Sequence, residues 1–321
     1  MELATIGGGS LAPAADLDRA LFERWEKFID ASPRTAEAYT ANIKRFAAYL
    51  DGSGITRPTR ETVIAYKREL LETHKPTTAS AYLAAVRLFF RWTAQEGLYP
   101  NIADHIKGAK INRDHKRDAL TERECAGVLD SMERGTLRQA RDYALVSLMA
   151  TGGLRCIEVQ RANVEDFTIR GGAARLYLMG KGRDERTEYA DIEPDTLNAL
   201  LEYMRQRTAA EGRKPAGDAP LFAATSRNNY GGRMTTRAIS GIAKDALRAA
   251  GYDDTRLTAH SLRHSAVTIA RRGGEELQAV SQFAHHHDIS TTLIYDHAIS
   301  RERNTCAATV GRMIHDHRRN L

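Results

Sequence analysis

The chain contains 321 residues, a length that accommodates two domains of ordinary size. A hydrophobic fraction of 42% and a charged fraction of 27% are typical of a globular protein and exclude a largely disordered one. The formal net charge of +6 favours a polyanionic partner such as nucleic acid, although a soluble basic protein without such a partner can have the same balance. We find no run of about 18 apolar residues, so the sequence predicts neither a transmembrane helix nor a membrane partner.

The first 15 residues include the glycine-rich stretch Gly7–Ser10 and predict a flexible leader. They lack a basic segment followed by an apolar core, so no signal peptide is predicted. The cysteines Cys125, Cys156 and Cys306 are far apart and do not have the spacing of zinc ligands. We interpret them as reduced thiols of a cytoplasmic protein.

Residues 16–106 carry apolar side chains that recur at helical spacing, which predicts a domain of four or five helices with short connections. The clearest stretches are 17–28, 33–50, 59–71 and 77–95. Their apolar stripes are interpreted as core. The exposed faces carry basic side chains that suit phosphate groups, although an ordinary solvated surface would explain any one of them. These basic residues are Arg34, Lys44, Arg45, Lys67 and Arg87.

Residues 107–118 are polar and basic, and we interpret them as a linker. Thr121 and Glu124 then have the spacing of a capping box, which predicts a helix start and a second domain at 119–299. A basic linker between two globular units could close a clamp around a duplex, or could be an ordinary solvated hinge. Residues 300–321 form a separate C-terminal tail.

The second domain has a mixed pattern. Residues 138–151 predict a buried helix, and residues 175–192 predict a β-hairpin with glycines in its turn. Helices are predicted to follow at about 194–210, 235–250, 260–272, 275–285 and 290–298, with a last one in the tail at about 301–318. The predicted fold class is therefore mainly α with a small antiparallel β-sheet, a helical domain preceding a mixed α+β domain.

Two basic residues lie beside glycines in this domain. Arg155 follows Gly152 and Gly153 and starts a helix, a position that aims a guanidinium and nearby N–H groups at an anion. Lys181 lies between two glycines at the hairpin tip, where a backbone can approach closely. The ordinary alternatives are a surface arginine beside a helix end and a solvated turn lysine.

A second group of polar residues lies later in the chain. His260 and Arg263 are three residues apart, so both lie on one face of a helix start and could share one phosphate. The consecutive histidines His285–His287 point in different directions and have no acidic or cysteine partner at ligand spacing, so no metal site is predicted. We favour His286 as the functional histidine. Tyr295 follows it by nine residues on a short polar helix.

Six residues thus form an ordered set with two guanidiniums, one lysine, two imidazoles and one tyrosine. This inventory suits attack by a tyrosine hydroxyl on a DNA phosphodiester without a metal ion or cofactor. The six candidate catalytic residues are Arg155, Lys181, His260, Arg263, His286 and Tyr295.

The segments that contain this set resemble the catalytic domain of tyrosine recombinases, the phage-integrase and Xer-type family. They read TGGLRCIEV, GKGRDERTE, HSLRHSA and HHHDISTTLIYDH, and residues 16–106 resemble the family's helical core-binding domain. Two positions depart from the usual pattern. The glycine pair Gly152–Gly153 precedes the Leu-Arg pair, and His285 replaces a glycine. The second departure leaves open whether His285 or His286 faces the phosphate.

The resemblance implies a role for each candidate. Tyr295 would be the nucleophile that forms a 3′-phosphotyrosine, and Lys181 the general acid that protonates the leaving 5′-oxygen. His260 would be the general base toward the tyrosine hydroxyl and His286 a hydrogen-bond donor to the phosphate. The two arginines would stabilise negative charge in the transition state, and Glu158 would orient the site.

The resemblance also implies an assembly: a C-shaped clamp on double-stranded DNA with inverted-repeat core sites, and a homotetramer that joins two such sites through a Holliday junction. The tail at 300–321 would dock on a neighbouring protomer. A cytoplasmic, nucleoid-associated enzyme would integrate or excise a mobile element, or resolve chromosome or plasmid dimers. Host accessory or directionality proteins are compatible with this role.

Two other functions use the same features. A type IB topoisomerase has similar chemistry but only relaxes supercoiled DNA. A non-enzymatic DNA-binding protein could keep the fold without the reaction, although all six catalytic positions are filled here.

Overall fold

The computed structural model describes residues 16–110, 119–179, 188–286, 288–293, 295, 309–312 and 316. The chain divides into two compact units, an N-terminal unit of residues 1–114 and a C-terminal unit of residues 115–321. Among the described helices, none is long and apolar enough to cross a membrane.

The N-terminal unit is helical, as predicted. Its helices are α1 (Ala20–Glu26), α2 (Pro33–Gly52), α3 (Arg60–Thr73) and α4 (Pro76–Gln95). Helices α2 and α4 each begin with a proline, which fits the first turn because the missing N–H would have no partner there. The predicted stripes form the core, in which Phe46, Phe89 and Phe90 are fully buried and the Phe90 ring contacts both other rings.

One predicted core side chain of this unit is exposed. Phe28 belongs to the predicted core stripe but is 52% exposed, and its ring lies 5.4 Å from that of Trp92.

Two of the basic residues that suit phosphate groups, Lys67 and Arg87, bind backbone carbonyls of this unit. Lys67 Nζ donates to the Lys107 carbonyl at 2.7 Å, and Arg87 donates to the Ile106 carbonyl at 3.1 Å. These two cations hold the end of the unit through backbone hydrogen bonds.

The C-terminal unit surrounds a small sheet with helices. Its helices are α5 (Glu122–Asp130), α6 (Leu137–Gly152), α7 (Cys156–Arg161), α8 (Pro194–Glu211), α9 (Thr236–Ala249), α10 (Ala259–Arg272) and α11 (Leu277–Phe283). Residues 290–293 and 295 are helical within the predicted helix 290–298, and residues 309–312 and 316 within the predicted tail helix. This mainly α arrangement with a small antiparallel sheet confirms the predicted fold class.

The sheet has three antiparallel strands in the order β1 (Phe167–Arg170), β2 (Ala173–Leu178) and β3 (Glu188–Ile192). Strands β2 and β3 are the predicted hairpin, and their alternate residues face the core. Strand β1 was not predicted, because four residues of which none is fully buried give no clear alternation. The predicted turn at 180–183, including Lys181, lies outside the described residues.

Helix α6 is the central element of this unit and is buried along most of its length. It ends at Gly152, and Gly153 caps it in the left-handed conformation with φ of 61°. A Cβ at Gly153 would lie 3.0 Å from the Phe283 ring, whereas one at Gly152 would meet only ordinary contacts at 3.7 Å. The two glycines therefore differ in how well they would tolerate a side chain, because only Gly153 combines a positive φ with a close neighbour.

We expect Gly153→Ala to lower the free energy of unfolding by about 1–3 kcal/mol, since alanine would be strained in the left-handed region and would press on Phe283. The matched control is Gly152→Ala, which replaces a glycine inside the helix. It should leave stability unchanged or raise it by up to about 1 kcal/mol.

Chemical unfolding followed by circular dichroism measures both variants. Tryptophan fluorescence is unsuitable, because Trp25 and Trp92 both belong to the N-terminal unit. Equal effects of the two substitutions would contradict the assigned difference between the two glycines.

Candidate active site

Arg155 is fixed at the start of α7 by a buried carboxylate. Its backbone N–H donates to Glu158 Oε2 at 2.7 Å, and its Nη1 donates to Glu158 Oε1 at 2.6 Å. Glu158 is only 3% exposed, so the guanidinium compensates a charge that would be costly to bury alone. Arg155 Nη2 also donates to the His285 carbonyl at 3.0 Å. The helix start and the turn after α11 together set the position of this guanidinium.

Arg263 lies on α10 and is only 2% exposed. Its Nη1 donates to the Gly153 carbonyl at 2.6 Å, and its Nη2 donates to the Ala284 carbonyl. Burial and the nearby charge of Arg155 lower the pKa of Arg263 to about 10, so this guanidinium is still protonated at neutral pH. Two cations are thus held close together, a site that favours an anion.

Tyr295 is 7% exposed and packs in a small apolar cluster with Val267, Val280 and Ala284. Burial raises the pKa of its hydroxyl, while the charges of the two arginines lower it. The hydroxyl is therefore protonated at rest, and the same arginines favour its ionised form.

Imidazole rings contact the Tyr295 ring. The His264 ring lies 4.6 Å away at an angle of 44°, and the His286 ring lies 6.2 Å away in a stacked orientation at 22°. His260, in the first turn of α10, extends this group: its ring centroid lies 5.4 Å from that of His264. His264 thus contacts both the predicted general base and the predicted nucleophile.

His286 is neutral at physiological pH. Burial, followed by the charges of Arg263 and Arg155, lowers its pKa to about 4. Its Nδ1 lies 2.8 Å from the hydroxyl of the buried Thr292. If the hydroxyl donates to Nδ1, the ring hydrogen lies on Nε2 and a neutral imidazole can still donate a hydrogen bond.

His285 faces a different element from His286. Its ring Nε2 lies 3.2 Å from the Tyr189 carbonyl of β3. Its backbone is left-handed with φ of 48°. Of the two adjacent histidines, His286 is therefore the one whose ring lies against Tyr295.

The structure brings most of the predicted set together. Arg155, Arg263, His286 and Tyr295 form one cluster, which His260 adjoins through His264. Lys181 lies outside the described residues. Among the described residues, no group of three or more His, Cys, Asp or Glu side chains could hold a metal ion. The cluster can bind a tetrahedral anion through two guanidiniums and an imidazole, with a phenol beside it.

Sequence reasoning missed two members of the site. His264 lies one helical turn after His260, a spacing that could have placed both rings on one face of α10. Thr292 had no such signal, because a buried threonine and a solvated one look alike within a polar segment. Neither residue was assigned a role from the sequence.

The sequences of several tyrosine recombinases are similar to this chain over most of its length. It is 29% identical over 272 residues to the tyrosine recombinase XerC of Roseiflexus castenholzii, covering 83% of each chain. It is 25% identical over 328 residues to a tyrosine recombinase of Synechococcus elongatus, covering 97% of this chain and 98% of the relative.

Solved structures share the fold. The post-cleavage complex of the XerH site-specific recombinase with a palindromic difH substrate aligns with a TM-score of 0.73 and 20% identity, covering 91% of this chain and 84% of that one. A lambda integrase tetramer bound to a Holliday junction aligns with a TM-score of 0.62 and 17% identity, covering 84% and 77%.

Family models match both units. The model of the phage integrase N-terminal SAM-like domain matches residues 23–97. The model of the phage integrase family matches residues 118–302, more than half of the chain. The chain therefore belongs to the phage integrase family of tyrosine recombinases, as the resemblance of its motifs predicted.

Proposed function

We propose that the protein cuts and rejoins DNA at specific sites through a 3′-phosphotyrosine formed on Tyr295. The observation that carries this proposal is the packing of Tyr295 against the cluster that contains Arg155 and Arg263, close enough for both charges to act on its hydroxyl. A cluster of this kind binds a phosphodiester and presents a nucleophile to it in the same site.

The two arginines are proposed to bind the non-bridging oxygens of the scissile phosphate. Charge-assisted hydrogen bonds from the buried Arg263 and the half-buried Arg155 strengthen as negative charge develops on those oxygens. Neutral His286 donates through Nε2, which adds a third hydrogen bond. Because Glu158 and the backbone carbonyls already fix the guanidiniums, little reorganisation is needed when the phosphate binds.

The proposed reaction conserves the phosphodiester energy. The Tyr295 oxygen attacks phosphorus, its proton passes to His260, and the bond from phosphorus to the 5′-oxygen breaks. Lys181 protonates that leaving oxygen. The 5′-hydroxyl of a second strand then attacks the phosphotyrosine and gives its proton to Lys181, while Tyr295 leaves and recovers its proton from His260. Each step exchanges one phosphate ester for another, so no water or nucleotide cofactor is consumed.

The proposed assembly is a homotetramer on two double-stranded sites with inverted-repeat core sequences, exchanging strands through a Holliday junction. Support comes from the shared fold with a lambda integrase tetramer on such a junction. The proposed biological role is integration or excision of a mobile element, or resolution of chromosome or plasmid dimers, in the nucleoid. Accessory or directionality proteins belong to the same proposal.

Capture of covalent adducts tests the function. The protein is expressed in a host that carries its native flanking DNA, lysates are denatured with detergent, and DNA retained on the protein is sequenced. We expect adducts at one short inverted-repeat site. Tyr295→Phe, which removes only the hydroxyl, should abolish them while leaving DNA binding intact in gel-shift assays.

The same experiment separates the alternatives. Adducts scattered without sequence preference, together with plasmid relaxation, would favour topoisomerase activity. Tight DNA binding without adducts in the parent chain would favour a non-enzymatic DNA-binding protein.

Lys181→Ala tests the general acid. We expect cleavage of ordinary DNA to slow by about 100- to 10,000-fold, because the 5′-oxygen would leave without a proton. A substrate with sulfur in the bridging 5′ position should be cleaved by the variant at nearly the parent rate, since a thiolate leaves without protonation. Equal loss on both substrates would contradict this role.

His286→Gln tests the neutral imidazole through stability. The pKa of His286 falls from 6.5 in the unfolded chain to about 4 in the folded chain, so between these pH values the unfolded chain binds a proton that the folded chain does not bind. The free energy of unfolding of the parent should therefore decrease as the pH falls from about 6.5 to about 4. Above pH 6.5 the contribution of His286 to stability should be constant. Chemical unfolding at both ends of this pH range should show a smaller loss for the variant. An identical pH dependence would contradict a buried neutral His286.

A further inference from the structure

His285 occupies a backbone conformation that favours glycine. Its φ of 48° lies in the left-handed region, which non-glycine residues adopt at a cost. Its ring Nδ1 is also buried without a hydrogen-bond partner among the described residues. A strained backbone and an unpaired buried nitrogen persist only where surrounding contacts hold them in place.

Those contacts connect His285 to both arginines. Its own carbonyl accepts from Arg155 Nη2 at 3.0 Å, and the preceding carbonyl, of Ala284, accepts from Arg263 Nη2. The turn therefore supplies one acceptor to each guanidinium.

The side chain of His285 makes the third connection. Tyr189 O is a carbonyl and can only accept, so the 3.2 Å contact requires a hydrogen on His285 Nε2. Tyr189 and His285 both line a cavity of about 800 Å³, together with other residues of β3 and α11 and with His286. Atoms that line a cavity lack van der Waals partners on one side, so fewer packing contacts hold β3 and the turn together there.

We propose that His285 is a positioning residue that ties β3 to the turn holding Arg155 and Arg263. The inference rests on the proposed function. Strand β3 begins at Glu188, directly after the segment that contains Lys181 in the sequence. In the proposed reaction the arginines bind the non-bridging oxygens, while Lys181 protonates the leaving oxygen of the same phosphate. The imidazole fixes the spacing between β3 and the turn that contacts the arginines.

The test compares His285→Gly with His285→Gln. Glycine relieves the backbone strain and removes the link, whereas glutamine places an amide N–H where the imidazole Nε2 lies, so it can donate to Tyr189 O. Covalent adduct formation is timed at saturating protein on the captured site, with an oxygen or a sulfur in the bridging 5′ position. Binding is measured by gel shift and stability by thermal melting.

For His285→Gly we expect cleavage of the oxygen substrate to slow by about 10- to 100-fold, because misplaced groups react slowly. The sulfur substrate should react near the parent rate, since it needs no proton from Lys181. DNA binding should be unchanged and the melting temperature no lower than that of the parent. His285→Gln should recover most of the lost rate on the oxygen substrate.

Three results would overturn the inference. Parent-like cleavage of the oxygen substrate by His285→Gly would show that the link has no influence. Equal slowing on both substrates, or a clearly lower melting temperature, would assign His285 a general structural role. Failure of the proposed function can be distinguished from these three results. If the proposed function is wrong, the parent chain itself forms no Tyr295-dependent adduct on either substrate.

Discussion

The close approach of two like charges, the half-buried guanidinium of Arg155 and the buried guanidinium of Arg263, is the constraint on which the rest of the C-terminal unit depends. Their mutual repulsion and desolvation lower the pKa of Arg263, and such a pair is tolerated only when negative groups surround it. The buried carboxylate of Glu158 supplies one charge, and three backbone carbonyls supply partial charges. The compensation is incomplete, because the carbonyls bring only partial charges. A bound phosphodiester would complete it, so the site is built to gain stability from its ligand.

The same pair sets the protonation of its neighbours. It contributes to keeping His286 neutral and opposes the effect of burial on Tyr295. A neutral imidazole can donate one hydrogen bond without adding a further positive charge, and a tyrosine near cations ionises more readily than burial alone would allow. In the proposed reaction, anion binding and activation of the Tyr295 hydroxyl therefore have a common electrostatic origin.

The sequence predicted what depends on local pattern. Helical periodicity located α2, α3 and α4, and the Thr121–Glu124 capping box is present at the start of α5. The order of motifs along the chain predicted that Arg155, Arg263, His286 and Tyr295 belong to one catalytic set. What it could not predict depends on long-range packing: the brief strand β1, the exposure of Phe28, and the backbone conformation of His285. A histidine beside another histidine carries no sign that its φ is positive or that its ring will reach a strand almost 100 residues earlier.

The arginines also serve as helix caps. The last carbonyls of an α-helix have no partner within the helix and carry partial negative charge, so a cation that reaches them stabilises the helix end. Arg263 binds Gly153 at the end of α6 and Ala284 at the end of α11, and Arg155 binds His285 just beyond. Both Gly153 and His285 are left-handed, and in each case the carbonyl of that residue meets a guanidinium. The ends of two helices therefore orient the groups proposed to bind phosphate, while those groups complete the helix ends. Folding of this region and assembly of the anion site are, in physical terms, one process.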